Sequence, residues 1–411
     1  MFEALRVRNF RLLWFGSVFC YGGHWVQQAT LGWVAYELTR SGSMVGLILG
    51  VRALPILLFA PVAGAIADRR NRRDILMATQ VLYACTTVGI GIALAAGALR
   101  AWQLFAFVLI TGVAFVFDRT TRQTLIPDLV PRDKVANAVA LGNIVFSLMR
   151  VVSPAIAGYL LLWVGGAGNF FTQTGLYVLG VLTLLMIDRR IHVHKEARSS
   201  MWRSIAEGFR YAAHDRTTRI VVFFTALPFL LLTPTWSTLL PVFARDVFKT
   251  GPQALGWMLT CAGAGGLTGG LLSASLARLD RVGWLQIASH ALFCASLIGV
   301  ASAPSIWTAL PCIFLAGIAE IVNSTAGQTI LQLSTPNALR GRVMSLYQLN
   351  SALISIGSVV AGAGADWLGT RGITALNGTL GLLIGAATVL LSSHLRNLRL
   401  SHYTQQVAAP S

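Results

Sequence analysis

Long apolar segments recur along the whole chain, at roughly the 20 residues that a helix needs to cross a bilayer. The 411-residue sequence is 55% hydrophobic and 11% charged, whereas a soluble domain carries about 25% charged residues. We therefore predict an all-α integral membrane protein with twelve transmembrane helices. The predicted spans are 10–38, 44–67, 75–97, 101–122, 135–163, 168–187, 219–247, 253–277, 283–303, 305–331, 343–367 and 372–393.

The net charge of +17 is distributed unevenly between the two sides of these spans. Most of the Lys and Arg residues lie in the N-terminal segment, in every second loop and in the long segment 188–219. The opposite side carries only Arg40, Arg100, Arg245, Lys249 and Arg371. Positive residues accumulate on the cytoplasmic side, so we predict a bacterial inner-membrane protein with both termini in the cytoplasm. This distribution explains the basicity without nucleic acid as a partner.

Two pairs of segments repeat at nearly constant offsets. QTLIPDLVPRDKVANAVAL (123–141) matches QTILQLSTPNALRGRVMSL (328–346) at an offset of 205, and VAYELTRSG (34–42) matches FARDVFKTG (243–251) at 209. The repeat predicts two pseudo-symmetric six-helix bundles, 1–187 and 218–411. The cytoplasmic linker 188–217 joins them. Its stretch MWRSIAEGFRYAAHD (201–215) has helical apolar spacing, typical of an amphipathic helix on the membrane surface or of a solvated linker helix.

A dense charge cluster, GAIADRRNRRD (64–74), connects the second and third spans. Its arginines are enough to anchor the membrane topology, but topology anchoring does not explain the presence of Asp68. The cluster resembles the loop signature of the major facilitator superfamily, Gly-x-x-x-Asp-Arg-x-Gly-Arg-Arg/Lys. The residues that match are Gly64, Asp68, Arg69, Arg72 and Arg73.

The resemblance extends over nearly the whole chain. FGSVFCYGGHWVQQATLGWVAYELTRSG (15–42), DRTTRQTLIPDLVPRDKVANAVAL (118–141) and LRGRVMSLYQL (339–349) are similar to the bacterial branch that includes the enterobactin exporter and macrolide efflux proteins. Four places depart from the family pattern, and in one of them, the second-half equivalent of the arginine loop (GGLLSASLARLDRVG, 269–283), the aspartate position is lost. Asn71 replaces the second glycine, and Asn tolerates the same left-handed turn. His24 stands in place of an aspartate, and Ser153 precedes Pro154 where exporters often have Gly-Pro.

The resemblance implies a conformational latch. In this superfamily the loop aspartate, here Asp68, contacts the N-terminus of the eleventh span, here around 342–345, where the helix dipole favours a carboxylate. Arg72 can pair with Asp68, and Asp118 can complete a relay of three charges. The alternative is a purely structural loop.

Ionisable residues inside spans are costly and mark candidate functional sites. His24 and Glu320 are candidates for proton coupling or substrate binding, and each has a structural alternative, which for Glu320 is a hydrogen bond to Asn323 or Ser324. Arg150 can hold an anionic substrate or a carboxylate, or fix the bundle. We expect Arg52 to extend toward the outer face, where it can pair with Glu37. We expect His290 to be structural.

Polar and aromatic residues near these positions are candidates to line a central cavity, although aromatic residues in spans are often packing residues. Asn143 and Gln348 occupy equivalent positions in the two repeats. The candidate lining residues are Trp25, Gln28, Asn143, Asn323, Gln328, Tyr347, Gln348 and Asn350.

The sequence has no GxxxxGK[ST] phosphate-binding loop, no metal-ligand spacing and no nucleophile–base pattern. We therefore predict no enzyme activity and no cofactor or metal. Two six-helix bundles favour alternating access. The predicted function is a monomeric secondary transporter that exports a small organic molecule, siderophore-like or drug-like, by proton antiport. The alternatives are an importer on the same scaffold and a non-transporting receptor or scaffold.

Overall fold

The computed structural model describes residues 2–67, 69–188, 210–276, 280–347, 350–391 and 396–398. Every long element in this part of the chain is helical, which confirms the predicted all-α fold. The helices are α1 Arg8–Thr39, α2 Gly42–Gly50, α3 Ala53–Ala67, α4 Arg72–Ala95, α5 Ala101–Asp128, α6 Val135–Leu185, α7 Arg216–Leu227, α8 Thr233–Val242, α9 Pro252–Leu276, α10 Val282–Ser302, α11 Ile306–Ser334, α12 Asn337–Tyr347 and α13 Asn350–Leu391.

Nine helical segments of the described chain are long and apolar enough to cross a membrane. Two of them, in α6 and α13, each contain two helices joined at a glycine with positive φ: Gly165 (φ 69°) and Gly369 (φ 73°). Glycine adopts this backbone conformation without steric cost. Dividing both helices at these glycines, and adding the 32-residue α1, accounts for the twelve predicted spans.

The backbone repeats along with the sequence. Gly165 and Gly369 are 204 residues apart and separate the fifth from the sixth span of each half. Arg40 and Lys249, which lie 209 residues apart, are the described non-glycine residues with positive φ, at 54° and 52°. Each follows the first span of its half and precedes Ser-Gly or Thr-Gly. Equivalent positions thus have the same special backbone conformation, as a duplicated fold requires.

The chain packs as two compact units. The first contains the described residues within Met1–Arg40, Val51–Arg198 and Thr250–Thr260, and the second those within Ser41–Gly50, Ser199–Lys249 and Cys261–Ser411. The segments 41–50 and 250–260 therefore each pack with the opposite half of the sequence. The predicted boundaries did not anticipate this exchange. The described residues omit 189–209, so most of the predicted amphipathic linker helix lies outside them.

Close helix packing at glycine accompanies both exchanges. A Cβ at Gly362 in α13 would collide with the Gly42 carbonyl oxygen, so α2 approaches α13 closely within the second unit. A Cβ at Gly158 would lie 2.9 Å from the Pro252 carbonyl oxygen and 3.0 Å from the Gly256 Cα, within the first unit. Such distances leave no space for a side chain.

Two spans depart from regular α-helix. The second span is interrupted by a turn at residues 51 and 52, between α2 and α3. The seventh span contains two π-helical segments, Pro228–Leu232 and Phe243–Val247, on either side of α8. Pro228 begins the first π-helical segment, and Pro234 and Pro241 lie in α8 between the two segments. Proline has no amide hydrogen to donate and disturbs regular i to i−4 bonding.

Each unit has its own apolar core. In the first, fully buried Phe10, Leu13, Leu76, Leu125 and Leu184 bring α1, α4, α5 and α6 together. Outward positions are also apolar, because lipid and not water surrounds spanning helices; Leu271 and Leu383, for example, are 68% and 61% exposed.

The second unit is built in the same way. Val221 and Phe224 of α7 pack with Val282 of α10, Ile330 of α11 and Val343 of α12. This core fixes the register of α11, the helix that carries Glu320.

Candidate functional site

A buried ion pair lies within α5. Arg122 and Asp118 are one helical turn apart and each is 2% exposed. The guanidinium donates through Nε to Asp118 Oδ2 (3.1 Å) and through Nη2 to Oδ1 (2.7 Å). Gln80 Nε2 donates to Oδ1 (2.9 Å), and Arg122 Nη1 donates to Ser17 Oγ (3.0 Å). The ion pair has no net charge, and its hydrogen bonds to Ser17 and Gln80 tie α5 to α1 and α4.

The arginine-rich loop contacts the ends of neighbouring helices in the same unit. Arg72 pairs with Asp128 and donates to the Thr124 carbonyl oxygen (3.1 Å). Arg73 donates to the carbonyl oxygens of Leu184 (2.7 Å) and Leu185 (2.8 Å). These contacts tie the start of α4 to the C-terminal turns of α5 and α6. The described contacts of Asp118 are with Arg122, Gln80 and other neighbours, and not with Arg72.

Asp68 lies outside the described residues, so the predicted latch stays a prediction. Gly64 lies in α3, and Arg69 is exposed in the turn that follows. The explanation given for Asn71 is wrong: this residue is extended (φ −63°, ψ 117°), and its side chain caps α4 by accepting from the Arg73 amide. Asn is favoured at an N-cap, and a left-handed turn is not needed.

His24 and Arg52 meet in the interior of the first unit. Arg52 Nη2 lies 3.1 Å from His24 Nε2. A guanidinium has only donors, so Nε2 accepts the hydrogen bond and the imidazole is neutral with its proton on Nδ1. The His24 ring stacks on Phe115 at 4.6 Å between centroids. The Arg52 and Arg119 guanidinium carbons lie 5.4 and 6.0 Å from the Phe115 centroid.

This position of Arg52 corrects the expectation that it extends toward the outer face. The turn at residues 51 and 52 directs the side chain to His24 in the first span. Phe115 and Arg119 were not predicted as site residues, because Arg119 counted only as a topological charge. Their spacing held a usable signal, since residues four apart share a helix face.

Arg150 and Trp25 form a second contact of this kind. The guanidinium carbon of Arg150, in α6, lies 5.7 Å from the Trp25 ring centroid, within cation–π range. Phe146 packs against the same indole at 5.6 Å. The indole Nε1 is buried and has no hydrogen-bond partner in the described structure. His24 and Trp25 are adjacent, so the two contacts are continuous along α1.

The second unit holds Glu320, which is 9% exposed in α11. The two residues suggested as hydrogen-bond partners of Glu320 make the following contacts. Asn323 Nδ2 donates to the Gln286 carbonyl oxygen in α10 (3.1 Å). Ser324 Oγ pairs with Tyr347 Oη of α12 (2.7 Å). Asn323 and Tyr347 thus join helices of the same unit.

The remaining candidates differ in exposure. Gln28, Gln328 and Asn350 are half-buried and Asn143 is exposed, while Gln348 lies outside the described residues.

His290 is 2% exposed and its Nε2 donates to the Gly381 carbonyl oxygen (2.9 Å). This contact joins α10 to α13, in agreement with the structural role expected for this histidine.

A duplicated helical membrane fold with charged side chains inside its spans defines a membrane transporter. A sequence profile of the MFS_3 family, described as "Transmembrane secretion effector", matches residues 1–409. The chain belongs to this family of the major facilitator superfamily. It is therefore a multi-pass secondary transporter of small molecules and not an enzyme.

Characterised relatives are distant but cover most of the chain. The staphyloferrin A transporter of Staphylococcus aureus is 24% identical over 84% of this chain and 87% of its own. The multidrug efflux pump Tap of Mycolicibacterium fortuitum is 24% identical over 95% and 97%. The enterobactin exporter EntS of Escherichia coli O1:K1 / APEC is 26% identical over 88% and 86%.

Solved transporters share the fold. A bacterial homologue of the lysosomal transporter Spinster superposes with a TM-score of 0.73 at 16% identity and covers 100% of both chains. The nucleoside transporter NupG superposes with a TM-score of 0.75 at 16% identity, over 94% of this chain and 99% of its own.

Proposed function

We propose that the protein is a proton-driven antiporter that exports a small organic molecule, siderophore-like or drug-like, from a bacterial cytoplasm. The observation that carries this proposal is the presence of titratable side chains inside the spans of a family member whose relatives include siderophore and drug transporters. The distribution of basic residues supports an inner-membrane location with both termini in the cytoplasm. The transporter acts as a monomer.

The contact between His24 and Arg52 suggests how a proton can be coupled to substrate. Nε2 of His24 accepts the Arg52 hydrogen bond, so a proton cannot occupy Nε2 while that bond exists. Proton uptake would also place two cations in contact. Protonation at Nε2 and the present position of Arg52 therefore exclude each other, so proton uptake by His24 would displace Arg52.

Glu320 is the second candidate for proton coupling. This residue is largely buried in α11, and ionisable residues inside spans mark candidate functional sites. The two candidates lie in different units. Substituting each alone separates their roles.

The coupling test compares His24→Gln and Glu320→Gln in inside-out vesicles with an imposed pH gradient. Gln at position 24 can still accept from Arg52 but does not titrate. We expect at least one variant to transport at a rate that no longer depends on the gradient. If transport by both variants still depends on the pH gradient, proton coupling through these residues is contradicted.

The direction and the substrate are tested together. Untargeted mass spectrometry would compare null and complemented cells with their spent media. A compound that accumulates inside null cells and disappears from their medium supports export. A medium compound that null cells leave unconsumed would establish import and overturn the proposal.

A further inference from the structure

Three arginines gather around the aromatic side chains of the first unit, and we call Arg52, Arg119 and Arg150 the basic cluster. The first two lie 5.4 and 6.0 Å from the Phe115 centroid, and the third lies 5.7 Å from the Trp25 centroid. They come from three places in the sequence: Arg52 lies in the turn between α2 and α3, Arg119 lies in α5, and Arg150 lies in α6. The fold brings them together along one stretch of α1.

The acidic residue nearest in sequence to Arg119 does not neutralise Arg52 or Arg119. Asp118 precedes Arg119, but both of its oxygens bond to Arg122. In the described part of the chain, neither Arg52 nor Arg119 forms an ion pair with a carboxylate. An anionic ligand would supply the counter-charge that these two guanidinium groups lack within the described residues.

The surroundings of the cluster add an apolar surface and a donor. The Phe115 and Trp25 rings lie beside the guanidinium groups, and Phe146 packs against the Trp25 ring. The buried Trp25 Nε1 lacks a hydrogen-bond partner within the described residues, and buried donors are seldom left so. A ligand with an anionic group next to an aromatic or apolar body would satisfy both features.

We propose that the transported molecule is an organic anion, and that its negative group binds at the basic cluster while its apolar body packs on the neighbouring rings. This inference rests on the proposed transport function and names the substrate class. The inference favours siderophore-like acids as substrates over the cationic amphiphiles found among many drugs. Carboxylates suit the cluster because a guanidinium offers paired donors.

The test uses two probes that share one ring system and differ in charge, naphthoate and naphthylmethylammonium. Binding to the purified full-length transporter is measured by calorimetry and by the shift in melting temperature. We expect naphthoate to bind and to raise the melting temperature, and the ammonium probe to do neither. Arg119→Gln should weaken naphthoate binding by about 10- to 100-fold, the range for a lost hydrogen bond to a charged group.

Arg132→Gln provides the matched control, because Arg132 is exposed outside the spans and the change in net charge is identical. We expect it to bind naphthoate like the wild type, and Arg119→Lys to retain part of the affinity. Preference for the ammonium probe, no binding of naphthoate, or equal losses in both Gln variants would overturn the inference. Anion binding without any export in the mass-spectrometry experiment would leave the inference standing and refute the proposed function.

Discussion

Asp366 in α13 caps the N-terminus of α2. Its carboxylate accepts hydrogen bonds from the Gly42 amide (2.7 Å), the Ser43 amide (3.0 Å) and the Ser41 hydroxyl (2.8 Å). The first amide groups of a helix have no partner within the helix. Here a side chain more than 300 residues away in sequence supplies it. The contact therefore stabilises tertiary structure as well as the start of the helix.

We expect Asp366→Ala to destabilise the protein by about 1–2 kcal/mol. Loss of a capping side chain costs about 0.5–2 kcal/mol, and the favourable interaction of the carboxylate with the helix dipole adds about 0.3–1 kcal/mol at an exposed site. Each kcal/mol corresponds to about 2–4 °C in melting temperature for a unit of this size. Asp366→Asn should cost less, because its single amide oxygen keeps part of the cap.

The assay is thermal unfolding of purified protein in detergent, with Asp133→Ala as the control at an exposed acidic residue. Ser41→Ala should cost less than Asp366→Ala, and the double variant should cost less than the sum, because the two side chains share one hydrogen bond. An unchanged melting temperature in Asp366→Ala, or strict additivity of the two changes, would refute this account of the cap.

Two further changes test the charged residues of the first half. Asp118→Asn leaves buried Arg122 without its counter-ion, so we expect about 3–5 kcal/mol of destabilisation. The double variant that combines Asp118→Leu with Arg122→Met should be destabilised less, because it removes both charges. Equal melting temperatures for the single and double variants would contradict this reasoning. Asp68→Asn should retain expression and lose most transport in whole-cell efflux, because the latch requires the carboxylate; a wild-type rate would count against the latch.

The fold follows from the sequence because lipid imposes simple requirements. Every span must be a long apolar helix, and hydropathy alone reveals twelve of them. The repeat offsets in the sequence reappear as equal backbone angles at Gly165 and Gly369 and at Arg40 and Lys249. Hydropathy does not report packing between helices. The exchange of residues 41–50 and 250–260 between units depends on close approaches at Gly362 and Gly158.

His24, Trp25 and Arg150 were named as candidates from the sequence, but their contacts were not, and neither were Phe115 and Arg119. His24 and Arg150 stand out because charge inside a span is unusual. Arg52 was misplaced because the turn at residues 51 and 52 leaves no mark in an apolar stretch. Similarly, the partners of Asn323 and Ser324 lie on other helices, at Gln286 and Tyr347. These partners are far apart in the sequence, so the i to i+3 and i to i+4 spacing within one helix does not predict them.

The duplicated halves differ in charge at equivalent positions. At the offset of 205, Phe115 corresponds to Glu320 and Arg119 to Ser324. The aromatic residue at the centre of the basic cluster is thus replaced, in the second half, by a carboxyl group. The repeated backbone thus carries the basic cluster and His24 in the first half and a carboxyl group in the second. On this reasoning Arg119→Gln should alter substrate affinity and leave gradient dependence intact, whereas Glu320→Gln should do the reverse.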